Sequence, residues 1–343
     1  MKDDNKKALT ISIAAYNVEK YLDHLMASII QADVMDRLEI LIVDDGSKDR
    51  TADIATRYEL QYSQSVRLIR KANGGHGSTI NKGIEEASGR YFRALDGDDW
   101  VNPEHLTKLI KIIDDIDSDI ILSDFCFCYE NGKNEEAKRF SELDNCKEYH
   151  LDQIWHPGFW MCYHTVIYRT EILKKHHIRL DEHCFYVDVE FMLYPIPYID
   201  TIYFFRDYIY CYRVGNEGQS VSDISRMKNI NHSKTVAESL ISYYLNNMAE
   251  LSEEKKAYFL EEIAFHCRWH EDSLLLFSPN KKRKRELIEF DRKIRENMPE
   301  LYRKMSEQSK ATRILRSTGY YTYRMVRFIK KMKAKKAAGK ISA

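Results

Sequence analysis

The run Leu38-Glu-Ile-Leu-Ile-Val-Asp44, continuing into Asp45-Gly46-Ser47, decides how this 343-residue chain is read. An almost unbroken apolar run of this length suits a strand covered on both faces, as in a parallel sheet. It ends on two acids and a turn glycine. Asp44 and Asp45 point to opposite sides of an extended chain, so one can cap the turn while the other accepts hydrogen bonds from a nucleobase or ribose. An Asp-rich turn with Ser47 capping the next helix is the plainer reading of the same residues.

The alternation recurs on both sides of this run. Residues 8–15 are β-rich, and Leu22, Leu25, Met26 and Ile29 predict a helix over 19–30. Downstream come a helix over 51–58 with Ser47 or Asp49 near its start, a strand over 66–70, a helix over 78–87 and a strand over 91–95. A helix over 103–113 follows, with Asn102 as N-cap and Pro103 in the first turn, and then a strand over 120–125. This β-α-β-α order predicts an α/β fold, a Rossmann-like, mainly parallel sheet with helices on both faces. Ligands of such sheets bind beyond the carboxyl ends of the strands. Tyr16-Asn17, Asp44–Ser47 and Asp96–Asp99 are thereby placed on one edge. Residues 131–154 read as polar loop, and 164–168 and 201–212 as further strands. After about Ser225 glycine becomes scarce and helical spacing persists. The expected domains are 1–225, carrying the site, and a helical region over 226–343.

Leu95-Asp96-Gly97-Asp98-Asp99-Trp100 is the strongest chemical signal. Gly97 permits a tight turn, and three carboxylates crowd its tip. Crowding raises their pKa unless a cation compensates, and Mg²⁺ or Mn²⁺ prefers carboxylate and phosphate oxygens. The glycines of the run from Asn73 to Gly83 let backbone approach a ligand closely, and the helix start that follows suits an anion. The run is neither a dinucleotide fingerprint nor a Walker A loop.

Together, Ile11–Asn17, Ile42–Ser47, Asn73–Gly83 and Asp96–Asp99 resemble the family 2 glycosyltransferases of the GT-A fold, over about residues 9–222. The resemblance implies a nucleotide diphosphate sugar as donor, a UDP-sugar being expected. It implies that Ala14, Tyr16 and Asp45 hold the nucleoside, and that Asn73 and Lys82 line the base and phosphate pocket. Asp96 and Asp98 match the metal-binding D-x-D acids, with Gly97 between them. Asp98 would be the direct ligand, and Asp96 would face the ribose or the ion. The family's catalytic acid falls at Asp188 in Phe185-Tyr-Val-Asp-Val-Glu-Phe191, where Val187 replaces the usual Glu; Glu190 is the alternative base. Tyr210-Cys-Tyr-Arg213 and Gly218–Ser222 resemble the end of the family's catalytic domain, and Arg213 would neutralise diphosphate charge or be an ordinary surface arginine. One base without a second, covalent carboxylate implies inversion. The absence of Q-x-x-R-W favours transfer of a single sugar to a saccharide acceptor in cell-surface polysaccharide biosynthesis.

The remaining features are less specific. Trp155, His156, Trp160 and His164 read as aromatic packing before acceptor stacking, and His76 alone is weak. The seven cysteines show no C-x-x-C pair and read as reduced thiols, and no zinc spacing is visible. Net charge is zero, yet ten Lys and Arg and no Asp or Glu lie from Thr312 onward. Residues 1–311 are correspondingly acidic, at −10. From Thr318, Tyr321, Met325, Phe328 and Met332 recur at helical spacing beside Arg324, Arg327, Lys331 and Lys335. This fits a helix on an anionic membrane surface, which would make a lipid-linked acceptor reasonable; a solvated basic tail is the alternative. No recognition motif speaks for nucleic acid. The first residues resemble no secretory leader and no apolar run reaches about 18 residues. The expected location is cytoplasmic, with the tail at the inner face of the plasma membrane if it meets one. Two rivals stand. A sugar nucleotidyltransferase would carry a Gly-rich basic loop after Ala15, which is missing. A non-catalytic carbohydrate or assembly module would not need acids at every strand tip.

Overall fold

The computed structural model describes residues 7–129, 131–137, 140–215, 222–330 and 332. Contacts divide the chain into two compact units, Met1–Glu217 and Gly218–Ala343.

The first unit is an α/β sheet protein. In chain order its elements are β1 (Leu9–Ala15), α1 (Leu22–Ile30), β2 (Leu38–Asp44), α2 (Thr51–Gln61), β3 (Val66–Arg70), α3 (His76–Glu86) and β4 (Tyr91–Asp96). Next come β5 (Trp100–Val101), α4 (Pro103–Ile112), β6 (Ile120–Tyr129), β7 (Asn134–Ala137), β8 (Lys147–His150) and α5 (Leu151–Ile154). β9 (Val166–Arg169), α6 (Thr170–Lys175), α7 (Asp188–Leu193) and β10 (Thr201–Val214) complete it. The sheet order is β3-β2-β1-β4-β9-β6-β10-β5, with β7 on β6 and β8 on β10.

Strands β3, β2, β1 and β4 are mutually parallel, and β10 runs parallel to β6. Ile40, Leu41, Ile42 and Val43 are fully buried, as a strand covered on both faces requires. The register matters most: Ala14 pairs with Val43 and Asp96, and Ala15 with Asp44. The ends of β1, β2 and β4 are therefore level, and their acids emerge in one row. Helix α3 crosses behind β1 so closely that a Cβ on Gly83 would meet Ser12 Oγ at 2.0 Å. Asn102 caps α4, its Oδ1 accepting from His105 N at 3.0 Å, with proline at the first position.

Several boundaries differ from expectation. The sheet is mixed, because β9 runs antiparallel between β4 and β6, and β5 antiparallel beside β10. Helix α1 starts at Leu22 rather than residue 19, since Glu19 serves the neighbouring turn: its N–H donates to Asp49 and its carboxylate accepts from Arg50 N. The stretch read as loop contains β7, β8 and α5. β7 and β8 are charged, largely exposed edge strands held by backbone pairing, so no apolar alternation marks them.

The second unit is helical: α8 (Asp223–Lys228), α9 (Ile230–Asn247), α10 (Glu253–Leu276), α11 (Lys281–Asn297), α12 (Pro299–Gln308) and α13 (Lys310–Ser317), then a helical segment over 323–330. Its core contains Ile230, Leu274, Leu275, Leu287, Leu315, Tyr323 and Val326. Buried Arg316 pairs with Asp291, which also accepts from Tyr320. The basic tail thus begins inside a packed unit. Its predicted helix is interrupted at 318–322, where Gly319 and Tyr320 take positive φ. Residues Lys331 and Lys335 and the Gly218–Val221 stretch lie outside the described residues. No helix among the described residues is long and apolar enough to cross a membrane.

Candidate active site

Asp45 closes the end of β2 and is 2% exposed. Its Oδ1 accepts from Lys71 Nζ at 2.6 Å, Gly74 N at 2.9 Å and Ser78 Oγ at 3.3 Å. Its Oδ2 accepts from Gly75 N at 2.8 Å and Asn73 Nδ2 at 3.0 Å. The anion that meets the start of α3 is therefore the protein's own carboxylate. Asp44 caps its turn by accepting from Ser47 N at 3.0 Å. Lys71, which no sequence motif singles out, sits immediately after β3, the position at which the other site residues follow their strands.

The glycines of this loop admit protein as well as space. Gly75 has φ +82°, and a Cβ there would lie 3.3 Å from the His183 backbone; a Cβ on Gly77 would lie 2.2 Å from Asp181 O. His183 N donates to Gly74 O at 2.5 Å, and Asn81 exchanges hydrogen bonds with the Leu180 backbone at 2.8 and 2.9 Å. The segment leading to Asp188 is thus docked on the start of α3.

At the end of β4, Gly97 N donates to Ala14 O at 3.0 Å, and a Cβ on Gly97 would press to 2.8 Å from that oxygen. Asp96, Asp98 and Asp99 each bring a carboxylate oxygen within 4.8 Å of the others. They differ in setting. Asp99 is buried, accepting from Tyr210 OH at 2.6 Å and Arg213 N at 2.7 Å. Burial and the charges of Asp96 and Asp98 push its carboxyl well above the usual carboxylate range. Asp96 and Asp98 are partly exposed. Such a set, two accessible carboxylates over a buried third, fits a hard divalent cation. Arg213 lies across the turn, its Nε donating to Asp98 O at 2.8 Å and its guanidinium over Trp100 and Tyr21.

His76 is the first residue of α3. Its Nε2 lies 2.9 Å from Asp96 Oδ1 and its Nδ1 3.5 Å from Asp188 Oδ1. Burial pulls its pKa down, but the Asp96 charge and the Asp188 hydrogen bond outweigh this and raise it to about 10. In return, although its surroundings push Asp188 up, the His76 hydrogen bond and charge hold it below its ordinary value. The Asp188 side chain is 57% exposed. Glu190, in the same turn of α7, is fully buried and accepts from Asp181 N at 2.7 Å; burial raises its pKa to about 8. Tyr163 OH also donates to Asp96 Oδ1, at 3.1 Å.

Among the expected site residues, Ala14, Asp96, Gly97, Asp98, Asp188 and Arg213 meet around the ends of β1 and β4. Asp45 and Asn73 form the adjoining clamp, and Tyr16 projects nearby, half exposed. Lys82 ion-pairs with Glu85 and Glu86 and lines, with Lys71, Asn81 and Lys174, a cavity of about 530 Å³ along α3. His164 stacks among Phe125, Tyr210 and Tyr212, whereas Trp160 is exposed.

The sequence profile of Glycosyl transferase family 2 matches residues 10–176. Among curated proteins, the chain is 25% identical over 260 residues to a Bacillus subtilis (strain 168) protein named "Putative glycosyltransferase EpsH", covering 73% of this chain and 70% of that one. It is 27% identical to the minor teichoic acid biosynthesis protein GgaB of the same organism, covering 76% of this chain but 29% of the longer protein. Among solved structures, residues 1–349 of Staphylococcus aureus TarS in complex with UDP-GlcNAc match with TM-score 0.68 at 21% identity, covering 95% of this chain and 92% of that one. The mannosyltransferase PcManGT of Pyrobaculum calidifontis, in complex with GDP-Man and Mn²⁺, matches with TM-score 0.53 at 14% identity, covering 96% and 88%. The fold is that of these GT-A enzymes, and residues 10–176 carry a family 2 glycosyltransferase domain.

Proposed function

We propose that this enzyme transfers a single sugar, with inversion, from a nucleotide diphosphate sugar to a hydroxyl of a saccharide acceptor. The observation that carries the reading is the junction of Asp188 with the Asp96–Asp98–Asp99 cluster through His76. A base and a diphosphate-holding site are thereby within one side chain of each other. The complex of TarS with UDP-GlcNAc supports a UDP-sugar as donor. The teichoic acid names of relatives support a cell-surface polymer, assembled on a lipid-linked saccharide, as acceptor. Residues 1–225 would form the catalytic domain and 226–343 its helical region.

In this mechanism the loop held by Asp45, with Ala14, Tyr16 and Asn73, seats the nucleoside. Asp98 and Asp96 would hold a Mn²⁺ or Mg²⁺ ion. Once bound, the ion supplies Lewis-acid stabilisation of the leaving diphosphate, worth about several kcal/mol. Arg213 adds positive charge on the same side. Asp188 takes the proton of the acceptor hydroxyl as its oxygen bonds to the anomeric carbon. The carbon–oxygen bond to the diphosphate breaks, and the nucleoside diphosphate leaves with that electron pair. General-base assistance of this kind contributes about 10²–10⁴-fold. Exposed Asp188 suits the role, whereas Glu190 is turned into the protein against Asp181.

A thermal-shift screen of nucleotide sugars with and without Mn²⁺ tests the donor and the metal together. The expected result is stabilisation by one UDP-sugar that depends on Mn²⁺. The anomeric configuration of the product, read by NMR, tests inversion. Stabilisation by nucleoside triphosphate and sugar phosphate instead would favour a nucleotidyltransferase, and no nucleotide response at all would favour a non-catalytic module.

The exposed side of the last helical segment supports peripheral membrane contact. Tyr321, Met325, Phe328, Ile329 and Met332 are exposed there, alongside Arg324, while Tyr323 and Val326 face the core. An apolar stripe flanked by cations, in a stretch without acids, is the chemistry of an anionic lipid surface.

A further inference from the structure

We propose that His76 is a positioning residue that holds the Asp188 carboxylate at the edge of the Asp96–Asp98–Asp99 cluster. The proposal rests on the reading of Asp188 as the base. Geometry carries it. The imidazole spans two carboxylates with its two nitrogens, at 2.9 Å to Asp96 and 3.5 Å to Asp188. The ring itself is fixed from several sides. Its residue begins α3 directly after Gly75, whose N–H is held by Asp45, and its carbonyl accepts from Thr79 Oγ1 at 2.7 Å. Tyr163 packs against the ring with centroids 5.6 Å apart. Asp188 has no comparable enclosure: more than half of its side chain is open to solvent. A carboxylate so exposed samples several rotamers unless tied, and an error of about 1 Å in a reacting group can cost about 10²-fold in rate.

Asp96 does not depend on the ring alone. His76 Nε2 and Tyr163 OH converge on Oδ1 of that carboxylate. Tyr163 therefore keeps a hold on Asp96 when the imidazole is removed. The base and the donor-holding acid are then registered against one rigid imidazole, itself anchored through Gly75 to the Asp45 clamp.

The ring is not what docks the 180–184 segment on α3. That docking uses Asn81 with Leu180, Gly74 O with His183 N, and the space above Gly77. His76→Ala is therefore expected to fold with the segment in place. With the nucleotide sugar selected by the screen above, kcat should fall about 10²-fold. The dissociation constant of UDP with Mn²⁺, measured by calorimetry, should stay within about threefold, because the donor's own contacts remain. Added imidazole should recover about tenfold of the lost kcat, and His76→Ala should cost nothing further on an Asp188→Asn background. A His76→Ala enzyme with kcat within about threefold of the parent overturns the proposal. So do UDP affinity lost in step with kcat, failure of imidazole to restore activity, or an undiminished loss on the Asp188→Asn background. An Asp188→Asn enzyme that stays active would instead remove the base reading itself, and the positioning role with it.

Discussion

Asp45 offers the sharpest test of how the site is built. Its carboxylate is buried and collects Lys71 Nζ, Asn73 Nδ2, Ser78 Oγ and the backbone N–H groups of Gly74 and Gly75. Asp45→Ala removes every acceptor at once. Breaking a buried ion pair from one side costs about 3–5 kcal/mol. Lys71 keeps some solvent contact, its side chain being 22% exposed, which draws the pair toward the lower figure. The two stranded glycine N–H groups add about 1 kcal/mol each. The sum is about 5 kcal/mol, against a total stability of about 5–15 kcal/mol. For a unit of this size each kcal/mol moves Tm by about 2–4 °C, so a fall of about 10–20 °C is expected. Thermal unfolding followed by far-UV circular dichroism reads it. Asp45→Asn should fall between parent and alanine variant, since an amide places a donor against other donors. A loss under about 1 kcal/mol in Asp45→Ala would refute the clamp. If UDP affinity alone collapsed at unchanged stability, the carboxylate would belong to the nucleoside rather than to the loop.

Other outcomes follow from neighbouring geometry. Asp98→Ala should abolish the Mn²⁺ dependence of UDP binding in calorimetry and leave the Tm of the free protein within a few degrees; retained Mn²⁺ dependence would remove Asp98 from the metal site. Glu190 has a folded pKa of about 8, above the ordinary value of 4.5. The folded chain therefore holds a proton that the unfolded chain has released between those values. Its stabilising contribution is complete below about pH 4.5 and fades as pH rises through about 8, at roughly 1.4 kcal/mol for each pH unit crossed. Glu190→Gln should flatten that decline in urea unfolding between about pH 5 and 8; an unchanged slope would show that another group causes it. Phe328→Glu with Met325→Glu should weaken binding to anionic vesicles at unchanged helicity. That exchange is a cleaner test than truncation at residue 313, which would also remove Leu315, Arg316, Tyr323 and Val326 from the helical unit's interior.

What the sequence shows and what it hides can be traced to periodicity. β2 is legible to the residue because a continuous apolar run has one reading once acids and glycine end it. The near-level ends of β1, β2 and β4, with Ala15 beside Asp44 and Ala14 beside Asp96, follow from parallel pairing of such strands, so the D-x-D turn and the Asp45 turn could be set on one edge from order alone. β7 and β8 could not be seen, because an exposed edge strand buries no face and leaves no alternation. β9 is legible as a strand within residues 164–168, but its direction is not: four residues cannot announce that they run antiparallel between β4 and β6. The same blindness covers the site's long-range partners. Nothing near Lys71 says that its amine meets Asp45, and nothing near Tyr163 says that its hydroxyl reaches Asp96, since both contacts are created by the sheet. The glycine run shows the limit most plainly. Its composition speaks of close backbone approach, and close approach is found, but much of what arrives is the 180–184 segment and the carboxylate of Asp45. The loop that looks made for a ligand is first a socket for the protein. It is through that socket that Asp188, about ninety residues beyond the D-x-D turn in sequence, comes to stand one histidine away from it.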